Sequence, residues 1–462
     1  MLAKFKKKYI GDWDFYQKYL LLAIPMILQN AITNLVSFLD NIMVGQLGTE
    51  QMSGVAIVNQ LIFVYNLAIF GAVSAASIFG AQYFGKGNHK GHMYSFRFKL
   101  YATLLVTGGA ILLFLTKGSA LISLYLTDTV GNGATDLALQ YGLEYLAIMM
   151  VGLIPFAVNQ SYATNIKETG QTFIPMLASF VAVGTNAILD YLMIFGIGPF
   201  PELGVQGAAL ATVIARYIEA LIVVIWAHIH RGKNRYLEGA YTSFGIPLAE
   251  LKAILIKGFP LMMNEVLWAA GMTTVTQCYS VRGLDVVAGL NIASTITNLF
   301  NIVYLQLGSC ISIVVGQYLG AGKLEDAKDA DNKMIVFSVF CCVIMAVLMF
   351  VVGGFFPGIY NTTEEIRELA TSFIAVSAII MPFCAFSHAS YFTVRSGGKT
   401  GVTFLFDSVF TWVIVVPAAY LLAHFTGLGI VSIYFLVQGT ELIKVIIGYL
   451  MVKSNVWVVQ MV

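Results

Sequence analysis

The sequence predicts an all-α integral membrane fold of twelve transmembrane helices, arranged as two pseudo-symmetric six-helix lobes. Three observations predict it. The composition is too apolar for a soluble globule, the apolar runs are unbroken and long enough to span a bilayer, and the second half of the chain repeats the first.

Of 462 residues, 58% are hydrophobic and 11% charged, and the mean hydropathy is +0.81. A soluble domain carries about a quarter charged residues, so this chain lacks the polar surface to face water on all sides. Apolar runs of ~20 residues recur along its whole length, as spanning helices require. Runs such as AIMMVGLIPFAV and VIVVPAAYLLA are continuous. That excludes a transmembrane barrel, whose strands alternate apolar and polar residues over ~10 positions. The net charge of +2 and the lack of a basic face interleaved with aromatics give no nucleic-acid partner. Five cysteines, an odd number with no CxxC, lie in or at the ends of apolar runs. They read as small apolar side chains rather than a disulfide framework or a zinc site. The basic, aromatic start MLAKFKKKYIGDWDFYQKY leads into a full-length span rather than a short cleavable h-region. It is expected to lie along the cytoplasmic membrane surface.

Twelve spans are expected at roughly 17–42, 54–80, 97–116, 138–162, 173–197, 206–229, 252–280, 286–314, 333–356, 368–392, 402–424 and 428–452. Gly and Pro inside several of them are tolerated in membrane helices. With the N-terminus in the cytoplasm, 21 of the 26 Lys and Arg residues, Lys4, Lys6, Lys7 and Lys8 among them, fall in cytoplasmic segments. Three fall outside (Lys117, Arg282, Arg367) and two within spans (Arg216, Lys444). This bias places both termini in the cytoplasm and requires an even number of spans. The expected location is the plasma (inner) membrane, in multi-pass form.

Two halves match at a constant offset of 235: IPMILQN (24–30) with FPLMMNE (259–265), NQLIFVYN (59–66) with STITNLFN (294–301), and QYFGKG (82–87) with QYLGAG (317–322). Pro25 thus pairs with Pro260, Asn66 with Asn301 and Gln82 with Gln317. Further on, ETGQT (168–172) meets SGGKT (396–400). Six spans per repeat is an even number, so both halves insert the same way up, which is the parallel-repeat architecture of transporters. Residues 1–235 are expected to form the N-terminal lobe, 236–251 a cytoplasmic linker and 252–462 the C-terminal lobe. The cleft between the lobes is the expected substrate path. No GxxxxGK[ST] loop is present to bind a driving nucleotide.

Ionised side chains inside hydrocarbon cost about 2.5–3.5 kcal/mol on insertion scales and need partners or water. Asp40 lies in the outer part of span 1, and Asn186 and Asp190 lie past the midpoint of span 5 on one helix face. Thr212 lies one to two turns from the outer end of span 6. Four oxygen-bearing side chains from three helices therefore share a depth, two of them carboxylates with no base at that level. Crowded carboxylates hold a proton or share a cation, and Na⁺ suits hard oxygen ligands. The alternative is that Asp40 caps a helix end and Asp190 bonds a neighbouring hydroxyl.

The remaining intramembrane polar residues read differently. Glu265, near the middle of span 7, faces either the central cleft or the C-terminal lobe. Arg216 with Glu219, and Glu441 with Lys444, are spaced to neutralise each other within their helices. Asp407 suits a structural role at the inner interface. His388 reads as a satisfied core histidine or a proton carrier, and His89, His92, His228 and His230 make no convincing metal set.

These residues give the chain a resemblance to the multidrug and toxic compound extrusion (MATE) family of bacterial type. The resemblance rests on the early Pro of span 1, Asp40 followed by VGQLG (44–48), the QYFGKG and QYLGAG turns, NAILDYLMIFG, GAALATVIARY and RSGGKT (395–400), and it covers nearly the whole chain. It implies two six-helix lobes in a V and rocker-switch antiport, in which Na⁺ or H⁺ entry drives export of amphipathic, often cationic, drugs or toxic compounds. It also implies an N-lobe cation site at Asp40, Asn186, Asp190 and Thr212, the set that depth alone selects. The best-known sodium-coupled bacterial branch pairs carboxylates of spans 7 and 10. Glu265 matches the first, but MPFCAFSHASYF in span 10 has no acid, with Cys384 near its place.

The reading is therefore a cation-coupled antiporter, not an enzyme, with no cofactor beyond Na⁺ or H⁺ as coupling ion. It would act as a monomer in the lipid bilayer on small amphipathic or cationic substrates. Pro25 is a candidate bending point, and Asn59, Tyr65, Asn66, Phe156 and Asn159 are candidates to line the cleft. A flippase of a lipid-linked precursor on a related fold is the alternative. It would need a basic cavity for a pyrophosphate, and the spans offer only Arg216 and Lys444. A membrane enzyme would need a constellation such as HExxH, which is absent. A channel would lack stoichiometric exchange.

Overall fold

The computed structural model describes residues 8–126 and 134–462, apart from the side chains at 36–38 and 134. Lys4, Lys6 and Lys7 of the basic start lie outside the described residues. Among those described there is no strand. Among the described residues, eleven helices are long and apolar enough to cross a membrane, and a bent pair taken as one span makes twelve. In order, the spans are Trp13–Gly45, Thr49–Lys86, His89–Ser123, the bent pair, Phe173–Ile194, Gly204–Ile229, Leu248–Ser280, Leu284–Gly320, Leu324–Gly353, Glu364–Ser396, Thr400–Phe425 and Ile430–Lys453. Each matches one expected apolar run. Most extend several residues further, because a helix continues past the hydrocarbon wherever its backbone stays paired.

The bent pair is span 4, Thr135–Val151 and Leu153–Glu168, at 44°. Its cause is local. Pro155 has no N–H to give and its ring crowds the preceding turn, and the break falls at Gly152. The Phe156 N–H reaches the Gly152 carbonyl only at 3.4 Å. A Cβ at Gly152 would stand 3.0 Å from Val213 Cγ2, so glycine lets span 6 close on the bend. Span 11 departs from the α-helix too. It passes through two π turns, Leu405–Val409 and Thr411–Val415, before resuming at Val416–Phe425.

The chain divides into two compact units. One comprises Ile24–Gly80 and His89–Lys252. The other comprises Met1–Ala23, Ala81–Asn88 and Ala253–Val462. The division runs through span 1 between Ala23 and Ile24, one residue before Pro25, although the helix is continuous from Trp13 to Gly45.

In the first unit, the core of spans 2, 4, 5 and 6 gathers Val58, Ile62, Ile69, Leu146, Met149, Ile194 and Ala209. The segment after span 6 is anchored on this unit. The buried Arg97 guanidinium donates to the carbonyls of Gly239, Ala240 and Gly245 at 2.6, 2.8 and 2.7 Å. Nearby, Lys99 and His92 both reach Glu168, and all three side chains are buried. His92 is therefore part of an ion cluster rather than a solvated surface histidine.

In the second unit, the repeat shows itself in the backbone. Gly87 and Gly322 have φ of +74° and +73°, and Gly170 in the first unit and Gly398 here have +82° and +70°. Glycine closes a helix in this left-handed conformation without a Cβ penalty. The QYFGKG and QYLGAG turns also meet reciprocally. A Cβ on Gly85 would overlap the Gln317 carbonyl, and one on Gly320 would overlap that of Gln82. The five cysteines are free thiols.

Candidate functional site

Small residues bring the polar ones together. On span 6, a Cβ at Gly207 would lie 2.6 Å from the Met193 carbonyl of span 5. Without it the two helices approach closely, as membrane helices with small contact residues do. One to two turns along each, Asn186 Nδ2 donates to Thr212 Oγ1 at 3.4 Å. Asp190, one turn beyond Asn186, is 1% exposed. Its carboxyl lies within bonding reach of the Asp40 carboxyl on span 1, with Asn186 beside it. The structure thus brings Asp40, Asn186, Asp190 and Thr212 into one cluster.

What the cluster lacks decides its chemistry. Asp40 Oδ1 and both oxygens of Asp190 are buried without a partner in hydrogen-bonding geometry. Neither acid has a Lys, Arg or His within 4.0 Å among the described residues. Two facing carboxylates cannot both stay ionised and dry, because burying an uncompensated charge costs several kcal/mol. A shared proton, or a small cation held by the carboxylates with the Asn186 and Thr212 oxygens, relieves that cost. Among the described residues no group of three or more His, Cys, Asp or Glu is placed to hold a metal ion.

Tyr145 of span 4, which sequence reasoning missed, borders the cluster. It is 5% exposed, its ring hydroxyl donates to Asn59 Oδ1 at 3.3 Å, and the fields of Asp40 and Asp190 reach it. A Cβ at Gly54 would stand 2.5 Å from the Ala138 carbonyl, so spans 2 and 4 touch there and set Asn59 against Tyr145. The depth argument that selected Asp40 also applies to Tyr145, two to three turns into span 4. Tyr65 is placed otherwise than expected. It is buried in the lobe's core, with its hydroxyl bonded to Thr107 Oγ1 at 2.8 Å and the Leu153 carbonyl at 3.0 Å. Asn66 keeps a buried Oδ1 without a partner.

Contrary to their spacing, Arg216 and Glu219 do not close into an ion pair within 4.0 Å among the described residues, although their fields reach each other. The bend at Gly152 exposes a carbonyl, which takes Arg216 Nη1 at 3.4 Å, and the guanidinium stacks on Phe156 at 5.1 Å. Glu219 instead accepts the Ser179 hydroxyl. Ser179 in turn accepts Gln29 Nε2 at 2.7 Å, and Asn159 approaches the same carboxylate. Both Phe156 and Asn159 are thus committed to neighbours within the lobe.

The other unit holds a different solution. Lys444 pairs with Asp407 at 2.7 Å rather than with Glu441, because the π turn carries Asp407 to face span 12. Asn264 completes the clamp. Its Nδ2 donates to Asp407 Oδ2 at 3.0 Å, and its Oδ1 accepts the Ser408 N–H at 3.2 Å and the Ser408 hydroxyl at 2.8 Å. Asp407 is therefore half of a buried ion pair within this unit. Glu265, next to Asn264, is half-buried with no ion pair among the described residues. The Nδ1 of His388 lies 2.9 Å from the Cys384 carbonyl and its ring lies against Tyr304, as a core histidine's would.

A family model described as MatE matches residues 25–192 and again 260–421, once in each repeat and over more than half of the chain. A probable multidrug resistance protein NorM of Thermotoga maritima is 23% identical over 413 residues, covering 89% of this chain and 86% of that one. Another from Halalkalibacterium halodurans is 24% identical over 413 residues, covering 89% and 88%. Among solved structures, a multidrug resistance MATE family transporter in an outward-facing conformation superposes with a TM-score of 0.85 at 20% identity, covering 96% of each chain. A MOP superfamily transporter from Pyrococcus furiosus does so at 0.85 and 19%, covering 96% of each chain. That structure is described by a reversed polarity of its binding pocket, suggesting a different function.

Proposed function

The chain belongs to the MatE family, and from that premise we propose that it exports small amphipathic, often cationic, compounds by antiport against Na⁺ or H⁺. The observation that carries the coupling is the buried, baseless pair Asp40 and Asp190. The multidrug resistance naming of the relatives supports the substrate class. The positive-inside bias supports placement in the plasma (inner) membrane with both termini cytoplasmic.

The cycle follows from differential affinity. When the site faces outward, water reaches the acids and a cation or proton loads them. Neutralisation removes the repulsion between Asp40 and Asp190 and favours a rearranged span 1, with Pro25 as the bending point. The rearranged lobe holds substrate less well and releases it outside. On reversal the pair discharges its ion inward. An ion shifts such an equilibrium only by binding one state more tightly than the other. Tyr145 and Asn59 hold the wall against which span 1 moves.

The flippase alternative gains nothing from the geometry. Arg216 is engaged by Gly152 and Phe156, and Lys444 by Asp407, so neither is free to hold a pyrophosphate.

The test is dye export from proteoliposomes with Na⁺ and pH gradients imposed separately. One gradient is expected to drive export, and Asp40→Asn to abolish the drive while the protein stays monodisperse. Normal driven export by that variant would remove Asp40 from the mechanism.

A further inference from the structure

We propose a second station for a small monovalent cation in the same lobe, centred on Glu219. It extends the reading of the Asp40 and Asp190 pair without sharing a residue with it.

Side chains of three other spans gather around this carboxylate of span 6. The Ser179 hydroxyl of span 5 donates to it, Gln29 of span 1 donates to Ser179 at 2.7 Å, and Asn159 of span 4 stands beside it. Two oxygens here have no hydrogen-bond partner although they are buried, Gln29 Oε1 and Asn159 Oδ1. Asn159 as a whole is only 3% exposed. Buried polar oxygens are normally satisfied, and an exception calls for an explanation such as a water or an ion. Carboxylate, amide and hydroxyl oxygens form a hard donor set, which suits Na⁺ or a proton rather than a soft metal. Arg216, one turn away, is turned to Gly152 and Phe156. The fields of Lys167 and Arg216 both reach the carboxylate.

The register relates this station to the first. From Gln29 to Asp40 and from Ser179 to Asp190 is eleven residues, close to three helical turns. From Glu219 back to Thr212 is seven, close to two turns. Each of the three helices therefore carries both levels on one face, separated by roughly 10–17 Å at 1.5 Å per residue. Span 6 runs opposite to spans 1 and 5, so the displacements agree in direction. Glu219 lies on the cytoplasmic side in the proposed orientation, where an ion leaving the outer pair would next meet a carboxylate.

The experiment counts bound ions, a readout that a merely structural network would not move. Purified full-length protein is titrated with radioactive Na⁺ alone. Wild type is expected to bind two ions per chain, Asp40→Asn and Glu219→Gln one each, their combination none, and Glu219→Asp two again. If Glu219→Gln binds as many ions as wild type, the second station is overturned and the outer pair stands. If Asp40→Asn binds as many as wild type while Glu219→Gln loses one, the outer pair fails and the second station stands. If wild type binds no Na⁺, the ion is the proton. The same variants are then scored by protons taken up per chain on acidification in Na⁺-free buffer, with the same expected halving and the same overturning result.

Discussion

The two lobes descend from one repeat, yet the Asp40 and Asp190 pair of one and Asp407 of the other are treated in opposite ways. In the first unit, Asp40 and Asp190 face each other with no base. In the second, Asp407 is clamped by Lys444 at 2.7 Å and Asn264 at 3.0 Å. A carboxylate with a fixed counter-charge gains nothing from a mobile cation, because its field is already cancelled. A carboxylate pair without one must recruit a proton or ion whenever water is excluded. Duplication preserved the scaffold, including Gly87 with Gly322 and the reciprocal packing of Gly85 and Gly320. The electrostatics diverged, which is why the proposed ion exchange is placed at the pair without a counter-charge.

That contrast breaks most sharply at the exchanging pair. Asp190→Asn should lower driven dye export by ~100-fold, about 2.7 kcal/mol, measured in proteoliposomes. Replacing the clamp as a unit, Asp407→Asn with Lys444→Met, should leave driven export within about threefold of wild type, since no mobile ion is lost. An export defect in the double variant as deep as that of Asp190→Asn would show that both lobes couple.

Stability separates the lobes next. Lys444→Met alone strands Asp407, and breaking a buried pair from one side costs about 3–5 kcal/mol. The expected outcome is a clear drop in the thermal midpoint of detergent-purified protein, largely recovered when Asp407→Asn is added. A smaller loss is expected for Gly320→Ala, whose new methyl meets the Gln82 backbone. Overpacking of this kind costs about 1–3 kcal/mol, read in the same melt. The smallest effect is expected at Glu265. Glu265→Gln should change driven export by less than about twofold, and a loss as deep as that of Asp40→Asn would restore a C-lobe role.

Much of the scaffold was legible before any coordinates. Hydropathy is a local sum, so the twelve spans followed from composition in windows, and the repeat followed from an offset. The candidate cluster was legible for a similar reason. Helical period and depth are properties of single segments, and they place Asp40, Asn186, Asp190 and Thr212 at one level. Tyr145 carries the same depth signal, but a tyrosine in an apolar run reads as packing.

Partner choice was not legible. Spacing paired Arg216 with Glu219 and Glu441 with Lys444, but a bend at Gly152 offered Arg216 a carbonyl, and a π turn carried Asp407 to Lys444. Both devices depend on a neighbouring helix. Pro155 marks the bend in sequence but not which side chain fills it, and nothing in LFDSV announces a π turn whose Ser408 N–H is taken by Asn264.

The sequence by itself determined which segments enter the membrane and how deep each polar side chain sits, since burial in lipid and helical rise act along one chain segment at a time. Only the tertiary structure decided which charges are cancelled and which stay open. A long side chain inside a bilayer commits to whichever polar group the adjoining helix brings within its reach, and that is settled by packing.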